Sequence, residues 1–278
     1  MFITNYIKRG MQYILNGVPV KYTSASITYL SPHERLKDKR IIITGGGRGL
    51  GEAMAKKFVK EGAKVLIAGR NEELLQTKAR ELDCLYLKLD VQHVDEFQAF
   101  MSKADDMLGE ADCLINNAGI SLHEGNIRNV TPEQFDAQIH TNLRGSYFLS
   151  QQFIEIFEAG NRKNGNILFI SSERGMTVDD LPYGLTKAAI NSLVQGLANR
   201  VLNSGIRVNA VAPGVTTSDM TGFTPEGNLY CSYNINERVY LPEEVAEIVC
   251  FLLSDAAGCL DGQILVCNEG KSINSHWR

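Results

Sequence analysis

The feature that most constrains this chain is an alternation. Short β-rich apolar runs are followed, repeatedly, by longer stretches of helical periodicity. Residues 40–44, 64–68, 85–89, 113–115, 166–170, 207–212 and 264–266 read as strands. Between them, helices are predicted over 72–82, 94–108, about 132–159 with an irregularity near Gly145, about 183–202, and 243–253. Leu50, Met54 and Phe58 place a further helix directly after the first strand. Such alternation demands right-handed crossovers and a parallel sheet covered on both faces. The near-continuous apolar strands agree, since both of their faces must be buried. The expected fold is α/β, a doubly wound parallel sheet of about seven strands in one domain over residues 39–278.

Two segments stand outside this scheme. Residues 1–38 form an N-terminal extension in which Ile3, Ile7, Met11 and Ile14 would share one face of a helix. That helix is expected to pack on the body or on a neighbouring subunit, because Lys8 and Arg9 alone supply too little charge for membrane-surface binding. Residues 219–241 are rich in Gly, Tyr and Asn and long for a connection, which suits a binding lid. The net charge of −4 argues against nucleic acid as a partner. No apolar run approaches the ~20 residues of a transmembrane segment. Lys8 and Arg9 interrupt the apolar start of the chain, unlike a secretory signal. The six cysteines form no CxxC pair and are expected as free thiols in a reducing, cytoplasmic setting, with no metal site.

The first strand ends in Thr44-Gly45-Gly46-Gly47-Arg48-Gly49-Leu50-Gly51. Glycine permits a tight turn and lets backbone N–H groups at the next helix's positive end approach a pyrophosphate. The strand before it, the helix after it and the second strand supply the Rossmann-like context such a turn needs. At the end of the second strand, an acidic residue would bind a ribose 2′-hydroxyl. Here Gly69 leaves that place empty and Arg70 follows. With Arg48, two guanidinium groups favour a 2′-phosphate, so the expected cofactor is NADP(H) rather than NAD(H). The alternative reading of Arg70 is a solvated residue at a helix start. Asn117, Ala118 and Gly119 follow the fourth strand, where they would line the same cleft or make an ordinary turn.

Tyr183 and Lys187 lie one helical turn apart and can address one ligand. An ammonium beside a phenol lowers its pKa from about 10. Ser172 closes a strand upstream, where a hydroxyl can hydrogen-bond a carbonyl oxygen as charge develops. Ser171 competes for that role, although the spacing to Gly175 favours Ser172. Asn142 falls inside the long predicted helix, as a specific hydrogen-bonding residue or as a solvent-facing one.

Together these motifs resemble the short-chain dehydrogenase/reductase family, its 3-oxoacyl-carrier-protein reductase-like members in particular, from Lys39 to Gly270. The resemblance implies that Gly45, Gly47, Arg48, Gly49, Leu50 and Gly51 bind cofactor, with Asp90 and Val91 at the adenine. It implies that Pro213, Gly214, Val215, Thr216 and Ser218 hold the nicotinamide carboxamide, with Ser218 where threonine is usual. Asn142, Ser172, Tyr183 and Lys187 match the family's catalytic tetrad. In it the tyrosine gives a proton, the serine holds the oxygen, the lysine tunes the tyrosine and binds the ribose, and the asparagine positions a relay water. The family further implies a small carbonyl or alcohol substrate and a homo-tetramer or homo-dimer built on Tyr183's helix and the long helix before it. The connection from Ser172 to Tyr183 is slightly shorter than the family often shows, which alters one pocket wall.

The rivals are enoyl reductases of the same fold, an NAD-dependent alcohol dehydrogenase, and a catalytically idle NADP(H)-binding regulator. Enoyl reductases typically space Tyr and Lys further apart, and an intact tetrad argues against an idle protein. Ser121, Leu122, His123, Glu173, Arg174, Met176 and the loop 230–236 are candidate pocket residues whose mixed character leaves the substrate open.

Overall fold

The computed structural model describes residues 33–224 and 227–273. Seven strands are seen: β1 (Arg40–Thr44), β2 (Lys64–Gly69), β3 (Leu85–Lys88), β4 (Cys113–Asn116), β5 (Gly165–Ile170), β6 (Ile206–Pro213) and β7 (Ile264–Cys267). They form a single parallel sheet in the order β3-β2-β1-β4-β5-β6-β7. The order reverses between β1 and β4, and the crevice outside the carboxyl ends of those strands is where such sheets bind ligands.

Three helices cover one face: α1 (Gly49–Lys60), α2 (Glu72–Leu82) and α7 (Pro242–Leu253). The other face carries α3 (Phe97–Leu108), α5 (Gly145–Ala159) and α6 (Pro182–Arg200). Strand β1 shows why its sequence had to be apolar throughout. Ile41 and Ile43 enter the core with Met54, Phe58 and Val249, while Ile42 enters the opposite core with Phe97, Phe153 and Ile190. Local signals set the helix ends. Asn71 caps α2 by accepting from the Leu74 N–H at 3.0 Å, and Asp83 ends it in a left-handed conformation. Thr131 and Gln134 form a capping box with Pro132 at the start of α4 (Pro132–Gln138).

The helix expected over 132–159 is divided. Between α4 and α5 the chain widens into a π-helical segment, Ile139–Arg144. A Cβ on Gly145 would lie 2.4 Å from the Val91 carbonyl oxygen, so the helix passes closer to Val91 than any side chain allows. The extension helix expected over Ile3 to Ile14 lies outside the described residues. The described residues 33–38 bring Leu36 into the core, its N–H donating to the Glu61 carbonyl. Among the described residues no helix is long and apolar enough to cross a membrane.

Candidate active site

A cleft of about 650 Å³ opens at the carboxyl edge of the sheet. That volume is of the order that holds a cofactor or a drug-sized ligand. Its two ends are built differently.

One end is backbone. Gly45 has φ +65°, and a Cβ on Gly51 would stand 2.1 Å from the Gly45 carbonyl oxygen. Helix α1 therefore starts directly against the turn. Thr44 and Asn117 lock the turn across the switch point. The Asn117 side-chain amide donates to the Thr44 carbonyl at 2.8 Å and the Gly45 carbonyl at 3.1 Å. The Thr44 hydroxyl accepts from the Asn117 and Ala118 N–H groups, both at 3.0 Å. Arg48, at the N-cap of α1, gives no side-chain cap, and the turn and first helical residues face the cleft. Arg48 and Arg70 line this end, as do Asp90 and Val91. The Arg48 guanidinium lies 3.1 Å from the Asp219 carboxylate of the segment after β6. An uncapped helix start beside a glycine cradle and two arginines fits the phosphates of a dinucleotide.

The other end is side chain. Ser172, at the end of β5, and Tyr183 and Lys187, in the first turns of α6, line the cleft. Lys187 is buried, and its Nζ donates to the Ile170 carbonyl at 2.7 Å. Burial lowers its pKa to about 8. The ammonium stands 5.6 Å from the centre of the Tyr183 ring. The expectation that Lys187 acidifies Tyr183 needs revision here. Burial lifts the phenol above the ordinary tyrosine value, and the opposing pulls come from the Ser172 hydroxyl and the Arg174 guanidinium. Ser171 is tied elsewhere, its hydroxyl donating to the Asn191 side-chain carbonyl at 2.6 Å.

Of the expected catalytic and cofactor-binding residues, two do not line the cleft, and of the expected pocket residues Ser121 and Leu122 line it whereas His123, Glu173, Arg174 and Met176 do not. Asn142 sits behind it, buried in the π-helical segment. Its Oδ1 accepts from the Ile120 N–H at 2.8 Å, and its Nδ2 donates to the Ile120 carbonyl at 2.9 Å and the Thr186 hydroxyl at 3.2 Å. It thereby ties the chain after β4 to α6. Val215 turns its carbonyl away, accepting from the Tyr240 N–H at 2.9 Å and the Asn234 amide at 3.3 Å. Gly119, Pro213, Gly214, Thr216 and Ser218 do line it. Of the expected lid, Asp219 to Thr221 reach the cleft, and the Met220 carbonyl meets His123 Nε2 at 2.7 Å. Tyr230 and Tyr233 are exposed and not on its walls. Sequence reasoning missed Asn71, Gln92 and Thr141, which also line it. Asn71 alone carried a signal, as a capping residue next to Arg70.

A glycine cradle at the switch point of a parallel sheet, with a Tyr–Lys pair at its far end, defines a dinucleotide-binding oxidoreductase. Comparison with known proteins makes the class specific. Residues 45–272 match the family model described as enoyl-(acyl carrier protein) reductase. Versicolorin reductase 1 of Dothistroma septosporum is 30% identical over 260 residues, covering 85% of this chain and 97% of the relative. A 3-ketoacyl-(acyl-carrier-protein) reductase from Brucella melitensis, solved with NADH, superposes with a TM-score of 0.79 at 30% identity, covering 85% of this chain and 99% of that one. A short chain dehydrogenase from Burkholderia cenocepacia, solved with NADP, gives 0.76 at 27% identity, covering 85% and 99%. The chain belongs to the short-chain dehydrogenase/reductase family of oxidoreductases.

Proposed function

We propose that this protein interconverts a carbonyl and a secondary alcohol using NADP(H). The observation that carries the reading is the placement of the Tyr183 and Ser172 side chains on one cleft wall, with the Lys187 amine buried beside the phenol. When bound, the nicotinamide ring supplies or accepts the hydride. Tyr183 donates its phenolic proton to the carbonyl oxygen during reduction and takes it back during oxidation. Ser172 hydrogen-bonds the same oxygen as negative charge builds on it. Lys187, one turn along α6, places its amine beside the phenol and toward the ribose. Asn142 holds the strand-to-helix geometry through Ile120 and Thr186, and a second lone pair on Oδ1 suits a relay water. The backbone of the glycine turn holds the pyrophosphate, and Arg48 and Arg70 hold the 2′-phosphate.

The Tyr–Lys spacing of one helical turn supports carbonyl chemistry over enoyl reduction. A screen of NADPH oxidation across β-ketoacyl thioesters, keto sugars and simple ketones, run beside Tyr183→Phe, tests the reading. Turnover falling by about 10²-fold or more in the variant is expected; a variant as active as the parent would sink the assignment. The protein is further read as a homo-oligomer, because Tyr147 and Phe148 of α5 and Leu185 of α6 expose apolar surface. Sedimentation equilibrium giving a monomer mass would remove that reading.

A further inference from the structure

The turn that follows Ser172 contains an ion pair unlike the others near the cleft. Arg174 meets Asp179 with two parallel bonds: Nε to Oδ2 at 2.6 Å and Nη2 to Oδ1 at 2.6 Å. This fork geometry is the strong form of an arginine–carboxylate contact. The Asp179 side chain is only 8% exposed. Its Oδ1 also accepts from the Leu181 N–H at 3.0 Å, at the entrance to α6. Gly184 packs so tightly on it that a Cβ there would lie 2.0 Å from Asp179 Oδ2. The carboxylate is thus fixed by the helix that carries Tyr183.

Arg174 in turn stands beside both side chains, by different parts. Its backbone N–H, which any residue at this place would supply, donates to the Ser172 hydroxyl at 3.3 Å. Its guanidinium carbon lies 5.9 Å from the centre of the Tyr183 ring. Among the described residues, the charged groups that face this phenol are few. Lys187 comes from its own helix, and Arg174 with Asp179 from the connection. The neighbouring Glu173 turns the other way, to Lys271 at 3.0 Å and Asn268 at 3.0 Å. Ser172, just after β5, is neutral.

We propose that Arg174, held by Asp179, is a positioning residue whose guanidinium is fixed beside the Tyr183 ring and sets the phenol's readiness to give its proton. This rests on the reading of Tyr183 as the proton donor. The physical reason lies in which cation persists. Burial leaves Lys187 with a pKa of about 8, so its charge is lost just above neutrality. A guanidinium stays charged throughout that range. Arg174 therefore supplies the lasting positive charge beside a phenol that burial makes reluctant to ionise, and it opposes that reluctance. Asp179 neutralises part of its field, which keeps the expected effect near the low end of what an adjacent charge produces.

Ultraviolet absorbance of tyrosinate, read without any substrate, tests this. Each protein is titrated beside its own Tyr183→Phe counterpart, so that the difference reports Tyr183. The parent, Arg174→Lys and Arg174→Met are compared over the pH range in which circular dichroism shows all of them folded. Ionisation in Arg174→Met is expected about one pH unit higher than in the parent, with Arg174→Lys between them. At the highest shared pH, the ionised fraction should therefore be largest in the parent and smallest in Arg174→Met. Equal fractions in all three would overturn the proposal, even if Arg174→Met also melts earlier, since a purely structural strut moves the melt and not the titration. If the Phe variant keeps full turnover, the proton-donor reading fails instead, and the titration separates the two failures.

Discussion

The two ends of the cleft solve different problems with different materials. At the proposed nucleotide end the cradle is main chain, with the Arg48 and Arg70 side chains beside it. Glycines there matter for what they lack, because Gly51 has no room for a carbon against the Gly45 carbonyl. At the proposed chemical end, Ser172, Tyr183, Lys187 and Asn142 would matter for the groups they carry, and hydrogen bonds hold Ser172, Lys187 and Asn142 in place. A backbone-built site is damaged by adding atoms, and a side-chain-built site by removing them. The same contrast separates two arginine–aspartate pairs. Arg48 and Asp219 meet at 3.1 Å through one nitrogen with both side chains mostly exposed, whereas Arg174 grips a nearly buried Asp179 with two. Exposed pairs contribute little; forked, partly buried ones fix geometry.

The sharpest way to break the comparison is one methyl group at the nucleotide end. Gly51→Ala must push either α1 or the turn aside, because the contact is with backbone and not with a yielding side-chain tip. An affinity loss of about 100-fold for NADPH, about 3 kcal/mol, is expected by fluorescence titration. Binding unchanged by the methyl would mean that the turn is soft and the contrast false.

A pH experiment probes the chemical end. The folded protein releases the Lys187 proton near pH 8, whereas the unfolded chain holds it to about 10.5. Between those values the unfolded state binds more protons, so stability contributed by this residue rises with pH. Relative to Lys187→Met, the parent should gain up to about 3 kcal/mol in urea unfolding across that window. A difference that stays flat, or falls with pH, would show that the amine is not desolvated. The smallest effect is expected at the cofactor's adenosine side. Arg70→Asp should lower the NADP(H)-to-NAD(H) affinity ratio by about tenfold. Competitive binding measurements that leave the ratio in place would remove Arg70 from the 2′-phosphate site.

Much of this molecule was legible because its signals are local. The strand periods, the helical spacing and the glycine turn depend on neighbours within a few residues, so their spacing survives in the bare sequence. All seven expected strands are present, with ends shifted by a residue or so at most. The harder residues are those whose partners lie far along the chain. Asn142 read equally as a solvent-facing residue, and only its contacts with Ile120 and Thr186 reveal a buried brace inside a widened helical turn. Ser171 and Ser172 differ by one position, and the pull of Asn191 on Ser171 separates them.

By itself, then, the sequence determined the layer order of the fold, the cradle between β1 and α1, and which side chains face each other one turn apart on α6. Periodicity and backbone freedom are properties of adjacent residues, and they need no knowledge of the rest. What only the tertiary structure decided is electrostatic. Whether the Lys187 ammonium keeps its proton, whether Tyr183 gives one up, and whether Arg174 stands beside that ring depend on burial and on through-space distance. Both are set by packing among segments that are remote in the chain.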